Sequence, residues 1–291
     1  MTIAGPWYQN EKMLRQTRRR GPQRRIAVVL LGAKGIARQG VAAAVQRCGH
    51  KHVGANDAPD LIIANWWKWD MGALTGFPSG VPVVHAWVGS DVHHTTAHSK
   101  EERFNWVASP WLARLLRQRL GITAHMIPHT PALEPRLLER SPTRRVLTYC
   151  PERREHKYCW DGIVEIASRC PGLEFHVLLK GGHPPVKNMV HLPRVKHGDM
   201  PAIYAGTRVL LRLTPSDGIS QSVMEALGFG RHAVWNWWAP GVTHVSSIGE
   251  AIEAIRRLVD AAPYAGGVAS ALEFRAQADY SMCAAIENAL S

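Results

Sequence analysis

Residues 208–234 read RVLLRLTPSDGISQSVMEALGFGRHAV and carry the strongest fold signal in the chain. The run RVLLRL (208–213) is short and apolar, as a buried strand is. The loop TPSDGIS leads into the helix-like segment QSVMEALG, and a glycine-rich turn then precedes a second apolar run. A strand, a loop, a helix and a further strand in this order predict one unit of a parallel α/β sheet.

The same alternation of strands and helices occurs before and after the Pro-rich, basic stretch 128–145. It predicts two successive doubly wound α/β halves that meet at this stretch. Helical segments separate most of the strand-like runs. The clearest runs are RIAVVLL (25–31), DLIIAN (60–65), VPVVHAW (81–87), RRVLTYC (144–150) and LEFHVLLKGG (173–182).

Two acids, Asp217 and Glu225, stand on the loop and in the helix of the opening stretch. Ligands of open parallel sheets bind at the carboxyl edge, and a helix N-terminus suits phosphate. Gly218 allows the backbone to approach a ligand closely. We therefore predict a nucleotide-sugar site in which one carboxylate binds sugar hydroxyls and the other binds ribose hydroxyls.

The same residues also fit a purely structural interpretation. Ser222-Val-Met-Glu225 matches the S-x-x-E capping box, which alone would explain the glutamate. Asp217-Gly218 is a common turn dipeptide.

The chain has 291 residues and a formal net charge of +12. Residues 1–25 hold seven Lys/Arg and one Glu, so this arm carries +6 and the remainder carries the other +6. An arginine-rich arm favours binding to a polyanion, either nucleic acid or an anionic membrane surface. A solubilising tail is the alternative.

Five cysteines without a CxxC spacing predict reduced thiols. The N-terminal segment has no apolar core of a secretory signal, and no apolar run reaches membrane-spanning length. Together these features predict a cytoplasmic protein.

The order of the motifs resembles the retaining glycosyltransferases of family four, whose signature is E-x7-E followed by A-x-x-x-G-x-P-V-V. Here Asp217-x7-Glu225 precedes Ala226-x-x-x-Gly230, with Asp in place of the first Glu and His232 in place of Pro. Other segments that are similar to the family lie in the same order. They are GAKGIARQGVAAAVQRCGHKHV, PDLIIAN, VPVVHAWVGSDV, NWVASPWLARLLRQRLGITAHMIPH, LPRVKHGDMPAIYAGTRVLLRLTPS and ADYSMCAAIENAL.

The resemblance implies the GT-B fold, an α/β arrangement of two Rossmann-like domains facing a central cleft. It implies an acceptor-side domain (26–140) after the flexible arm (1–25), and a donor domain (141–275). A closing helix (276–291) is expected to pack back toward the first domain.

The resemblance also implies that Arg and Lys, and no bound metal, neutralise the diphosphate of a UDP-sugar co-substrate, with no permanently bound cofactor. PERREHKYCWDG (151–162) occupies the corresponding place, so Arg153, Arg154 and Lys157 are the candidates, and we favour Arg154 and Lys157 for this role. A solvated charged loop is the alternative. Further donor-binding predictions are Gly218, Ile219, Ser220 and Glu225, with Gly35 or Gly40 as a backbone contact from the first domain.

On the acceptor side we predict His85 and Asp91, which with Asp217 make up the predicted catalytic set. In the family a histidine stands directly before G-S-D. Here Val88 stands directly before Gly89-Ser90-Asp91, and His85 lies three residues before Val88. Each histidine is alternatively a hydrogen-bonding residue with no catalytic part. His94 and His98 have zinc-ligand spacing but lack a cysteine partner nearby.

Eleven tryptophans include two loop clusters, at 66–69 and 235–238. Most tryptophans serve packing, but loop clusters can stack on a base or a sugar ring. Basic charge with loop tryptophans favours a glycosyltransferase that acts on a hydroxymethylated pyrimidine in DNA, as phage enzymes do. The alternatives are a membrane lipid or polysaccharide acceptor, and a non-catalytic nucleotide or nucleic-acid binding protein.

Overall fold

The structure, a computed structural model, describes residues 23–31, 36–54, 57–66, 79–87, 100–128, 131–215 and 217–291. The chain divides into two compact units. One comprises residues 1–132 with 274–291, and the other comprises 133–273. Each unit contains a parallel six-stranded sheet. The predicted fold class, two successive α/β halves, is confirmed.

The first unit has the strand order β2-β1-β3-β4-β5-β6, and its paired neighbours are parallel. Its strands are β1 (Arg25–Leu31), β2 (Lys51–Val53), β3 (Leu61–Trp66), β4 (Val83–Trp87), β5 (Asn105–Val107) and β6 (His125–Met126). Helix α1 spans Ile36–Arg47 and α2 spans Pro110–Leu120. Local sequence sets the limits of α2: Ser109 caps its start, and Gly121 ends it with φ of 67°.

The second unit has the order β12-β11-β10-β7-β8-β9, again parallel throughout. Its strands are β7 (Arg145–Tyr149), β8 (Glu174–Leu178), β9 (Met189–Leu192), β10 (Val209–Arg212), β11 (His232–Trp235) and β12 (Thr243–His244). Its helices are α3 (Trp160–Arg169), α4 (Met200–Ala205), α5 (Gln221–Gly228), α6 (Ile248–Leu258) and the start of α7 (Ala265–Leu290). Apolar residues of α3 and α6 bury one face of the sheet.

The C-terminal part of α7 belongs to the first unit. Met282 and Ile286 lie in the same buried cluster as Ile26 of β1. Arg47 at the end of α1 donates two hydrogen bonds to Asp279, at 2.5 and 2.8 Å. A bidentate arginine–carboxylate pair of this kind fixes the orientation of both partners.

The prediction of reduced thiols is wrong for two of the five cysteines. Cys48, directly after α1, forms a disulfide with Cys283 of α7, whose Cα atom lies 5.4 Å away. Cys150, Cys159 and Cys170 are free. The pair is separated by 235 residues, so only the folded contact between α1 and α7 reveals it. Among helices in the described ranges, none has the length and apolar character needed to cross a bilayer.

Candidate functional site

The loop between β10 and α5 carries the first acid at the carboxyl edge of the second sheet. Helix α5 begins at Gln221, and its cap is Ser220, whose hydroxyl accepts a hydrogen bond from the Val223 N–H at 3.4 Å. The cap is therefore not Ser222, so the capping-box interpretation of Glu225 is wrong. The side chain of Glu225 is used elsewhere.

Glu225 is 6% exposed, and two side chains hold its carboxylate. His197 Nε2 lies 2.6 Å from Oε1, and the Tyr204 hydroxyl donates to Oε2 at 2.9 Å. Burial, and secondarily the Glu225 charge, raises the pKa of Tyr204 well above its ordinary value, so the phenol keeps its proton. The carboxylate is thus fixed in one orientation at the inner end of the site.

Asp217 is paired with an arginine of the preceding strand. Arg212 Nε donates to Oδ2 of Asp217 at 2.5 Å, and both side chains are largely buried. The Gly218 N–H donates to the other carboxylate oxygen at 3.1 Å. Burial alone would lower the pKa of Arg212, but the Asp217 carboxylate raises it overall. Arg212 therefore keeps its charge at neutral pH.

Further cations surround this ion pair. Lys157 lies in the 3₁₀ turn Glu155–Tyr158, which follows β7. Burial is the main cause that lowers the pKa of Lys157, and the charge of Arg154 adds to it, while Asp217 acts in the opposite direction. Burial raises the pKa of Tyr149, against the opposing charges of Arg212, Arg154 and Arg194. Four cations (Arg154, Lys157, Arg194 and Arg212) and two carboxylates (Asp217 and Glu225) thus belong to this edge, an excess of two positive charges.

Two tyrosine rings pack near the guanidinium group of Arg212. The Arg212 guanidinium carbon lies 5.4 Å from the ring centre of Tyr158. The rings of Tyr158 and Tyr149 meet edge to face, with centres 5.1 Å apart. These contacts provide a cation–π surface beneath the charged groups.

Asn236 and Trp237, which follow β11, hold the start of the loop between β10 and α5. Asn236 Oδ1 accepts from the Thr214 N–H at 3.0 Å, and Asn236 Nδ2 donates to the Thr214 carbonyl at 2.8 Å. Trp237 Nε1 donates to the same carbonyl at 3.1 Å. Trp238, in contrast, is 57% exposed. Of these two tryptophans, Trp238 is therefore the one that offers a large free ring surface.

Several residues that complete this site were not predicted from the sequence. Arg212 had a signal, because a charged residue in an apolar strand must find a partner when it is buried. No such signal in the sequence marks His197, Tyr204 and Asn236, because their hydrogen-bond partners lie on other elements. Arg194 follows β9, and only the sheet order brings that strand near β7.

Of the other predicted residues, some lie in the second unit, one lies in the first unit, and several lie outside the described residues. Arg154, Lys157, Gly218, Ile219, Ser220 and Glu225 lie in the second unit, at or next to the loops just described. His85 lies in β4 of the first unit, is 1% exposed, and stacks on Trp87 with ring centres 3.6 Å apart. Gly35 and Asp91 lie outside the described residues, as do Trp67 and Trp69, the zinc-spaced histidines 94 and 98, and the basic arm 1–22.

Solved glycosyltransferase structures resemble this chain in fold. The lipopolysaccharide outer core galactosyltransferase WaaB matches with a TM-score of 0.55 and 8% identity, over 91% of this chain and 98% of that chain. Sucrose-phosphate synthase from Thermosynechococcus elongatus matches with a TM-score of 0.52 and 11% identity, over 92% and 95% of the two chains. An alpha-glucosyltransferase in complex with UDP and a 13-mer DNA matches with a TM-score of 0.53 and 9% identity, over 89% and 94%.

A mutant of S. aureus TarM in complex with UDP matches with a TM-score of 0.53 and 11% identity, over 79% of this chain. This chain covers 55% of TarM, about half of that protein's length. No family model and no curated protein matches the sequence. At these identities the structural likeness establishes the fold: the chain has the two parallel-sheet α/β units of the GT-B glycosyltransferases.

Proposed function

We propose that this chain is a retaining glycosyltransferase that moves a sugar from a UDP-sugar to a hydroxyl of a hydroxymethylated pyrimidine in DNA. The observation that carries the proposal is the charge arrangement at the carboxyl edge of the second sheet. There, Arg154, Lys157, Arg194 and Arg212 act together with the carboxylates of Asp217, on the loop before α5, and Glu225, in α5. An excess of two positive charges suits a nucleoside diphosphate, whose charge the site would neutralise.

In this proposal Lys157 and Arg154 bind the diphosphate and stabilise the negative charge that develops as the nucleotide leaves. Arg194 and Arg212 add to the same positive field. The N–H groups at the start of α5, together with Gly218, Ile219 and Ser220, complete the phosphate side. Gly35 of the first unit is proposed as a further backbone contact to the phosphates.

The two acids take separate roles. Asp217 accepts hydrogen bonds from sugar hydroxyls and faces the bond that breaks, while Arg212 holds its carboxylate in place. Glu225 accepts from ribose hydroxyls, with His197 and Tyr204 fixing its orientation. Because Asp is shorter than the Glu of the family pattern, the donor sugar would lie closer to β10.

The bond between the sugar's anomeric carbon and the diphosphate oxygen breaks, and the acceptor oxygen bonds to that carbon from the same face. The acceptor hydroxyl's proton leaves with the diphosphate. Asp91 and His85 are proposed for the acceptor side. Since His85 is buried, its part would be to position groups around the acceptor and not to touch it.

DNA is favoured as the acceptor by the basic charge of the chain. The net charge is +12, and α2 exposes Arg114 and Arg117 without any acidic residue in the helix. One structural neighbour was solved with DNA bound. The second candidate is a lipid or polysaccharide acceptor, which the lipopolysaccharide galactosyltransferase among the neighbours favours.

Two assays test the proposal. A panel of UDP-sugars is first scanned for slow hydrolysis, which a non-catalytic binding protein would not show. The protein and the active donor are then incubated with hydroxymethylated DNA and, separately, with membrane extract, and products are identified by mass. We expect a hexose-sized mass increase on the DNA, unaffected by EDTA. A glycosylated lipid together with unmodified DNA would replace DNA by the second candidate.

A further inference from the structure

Three arginine side chains converge on the end of α6, far from the donor site. Arg140 Nη2 donates to the Asp260 carbonyl at 2.7 Å. Arg144 donates to both carboxylate oxygens of Asp260, at 2.7 and 3.1 Å. Arg208 donates to the carbonyls of Val259 and Thr143, at 2.9 and 3.1 Å. Three guanidinium groups thus meet around two successive residues, Val259 and Asp260.

The negative charge at this place is smaller than the positive charge. In the described part of the chain, Asp260 is the only carboxylate that bonds to any of the three, and Arg144 already occupies both of its oxygens. Arg140 and Arg208 donate to backbone carbonyl oxygens, which accept hydrogen bonds but carry no net charge. The C-terminal end of a helix adds about half a negative charge. More than one positive charge therefore remains uncompensated.

The positive charges of this group act against one another at Arg208. Burial lowers the pKa of Arg208, and the charges of Arg140 and Arg144 lower it further, while Asp260 acts in the opposite direction. A fourth arginine, Arg231, is 2% exposed and donates to the Glu139 carbonyl at 2.7 Å. Its Nε is buried without a hydrogen-bond partner, and the charge of Arg208 adds to burial in lowering its pKa. Such a cluster is stabilised by any anion that binds it.

Capping of α6 explains only part of the arrangement. Cations are favourable in the last turn of a helix, but α6 already carries Arg256 and Arg257 there. Arg140 is exposed, and Arg144 is 49% exposed, so both can contact a ligand in solution. We call Arg140, Arg144, Arg208 and Arg231 the arginine cluster.

The arginine cluster lies at the opposite edge of the sheet from the donor site. Arg144, Arg208 and Arg231 each directly precede a strand, β7, β10 and β11, so they mark the amino edge. The donor site follows the ends of these strands. A five-residue strand such as β7 separates the two edges by about 17 Å. An anion bound by the cluster is therefore not the diphosphate of the donor.

We propose that the arginine cluster binds backbone phosphates of a nucleic acid and gives the DNA acceptor a second docking site. Planar guanidinium groups bind phosphate oxygens in pairs, and several of them with one carboxylate suit a row of phosphates better than a single small anion. Such contacts position a nucleic acid without reading its sequence. This inference rests on the DNA acceptor proposed above.

The test measures binding of a labelled 20-base-pair duplex to the full chain over a range of salt concentrations, with UDP saturating the donor site. We compare Arg140→Gln and Arg140→Gln/Arg144→Gln with Arg169→Gln. Arg169 is also exposed, but it is paired with Glu165 at 3.1 Å, so the control removes one equal charge outside the cluster. Unfolding temperatures are recorded for all variants. If the double variant fails to fold, the single exchange of exposed Arg140 still gives the answer.

Each lost phosphate contact should reduce the log–log salt slope by about 0.9 and weaken binding roughly threefold or more at moderate salt. We expect both effects for the cluster variants, neither for Arg169→Gln, and an unchanged UDP affinity for all. The inference is overturned if the double variant binds DNA with the wild-type slope, or if Arg169→Gln loses as much. It is also overturned if the cluster variants weaken binding to phosphatidylglycerol vesicles but not to DNA. In each of these cases intact donor hydrolysis leaves the proposed glycosyltransferase activity standing.

Discussion

Glu225 lies between two partners, and this contact pattern decides what its exchange for glutamine should do. A glutamine carbonyl can still accept from the Tyr204 hydroxyl, and its amide can face His197 in the other imidazole tautomer. The fold should therefore survive in Glu225→Gln. The ribose hydroxyls of bound UDP lose a charge-assisted hydrogen bond, so UDP affinity should fall about tenfold, or roughly 1–2 kcal/mol. Isothermal titration with UDP measures this directly.

Tyr204→Phe serves as the companion variant, because it leaves one buried carboxylate oxygen of Glu225 without its donor. We expect it to lower the free energy of unfolding by about 1–3 kcal/mol. If instead Glu225→Gln destabilises the protein while UDP affinity stays at the wild-type value, the glutamate is only structural.

Lys157 should show its role in the pH profile. Burial lowers its pKa, so the free enzyme loses this positive charge at a lower pH than an ordinary lysine does. The profile of kcat/KM reports groups of the free enzyme, and its alkaline side should therefore fall early. Lys157→Arg keeps the charge and should move that fall to higher pH. Lys157→Ala should lower turnover by about 10²-fold or more at neutral pH.

Arg153 provides the matched control, since it lies just before the 3₁₀ turn of Lys157 but is exposed. Arg153→Ala should leave both turnover and the pH profile near wild type. An alkaline limb that does not move in Lys157→Arg would remove Lys157 from the leaving-group site.

The loop between β10 and α5 depends on the clamp that Asn236 and Trp237 place on Thr214. Asn236→Ala removes two hydrogen bonds, whereas Trp237→Phe removes one N–H and keeps a ring. Because the loop carries Asp217, affinity for the UDP-sugar should fall more than affinity for UDP. We expect about tenfold for Asn236→Ala and about threefold for Trp237→Phe, from roughly 0.5–1.5 kcal/mol for each hydrogen bond.

The same unit contains a second clamp that makes a suitable control. Asn188 Nδ2 donates to the carbonyls of Ala167, Cys170 and Leu173, near the amino end of β8. Asn188→Ala should lower stability as Asn236→Ala does, without changing the ratio of UDP-sugar to UDP affinity. Equal ratios in both variants would mean that the clamp on Thr214 contributes to stability alone.

The sequence predicts the elements around the site better than it predicts the contacts between them. Strand β10, its loop and α5 follow from local patterns, and Asp217 and Gly218 lie on the loop as predicted. The choice between Ser220 and Ser222 as cap did not follow, because both fit a cap position and only backbone geometry separates them. The partners Arg212, His197 and Asn236 come from three elements that meet only in the folded sheet.

The distribution of charge over the whole molecule gives a last prediction, which concerns the arginine-rich arm. Residues 1–22 contain Lys12, Arg15 and Arg18–Arg20, five cations that should contact phosphates only. If DNA is the acceptor, deletion of residues 1–22 should weaken DNA binding and flatten its log–log salt slope by up to about five units. UDP affinity should not change, because the proposed donor site is built almost entirely by residues of the second unit.

A ring that stacks on a base should behave differently from the arm. Trp238 offers the exposed ring, whereas the indole N–H of Trp237 is bound to Thr214. Trp238→Ala should cost about 1–3 kcal/mol of binding to single-stranded DNA and leave the salt slope unchanged, because stacking displaces no counterions. Fluorescence titrations of the truncated chain and of Trp238→Ala, at several salt concentrations, separate the two effects. A truncated chain that binds DNA as tightly as the full chain, with the same slope, would exclude the arm as a DNA contact and leave the charge on the folded units as the remaining source of affinity.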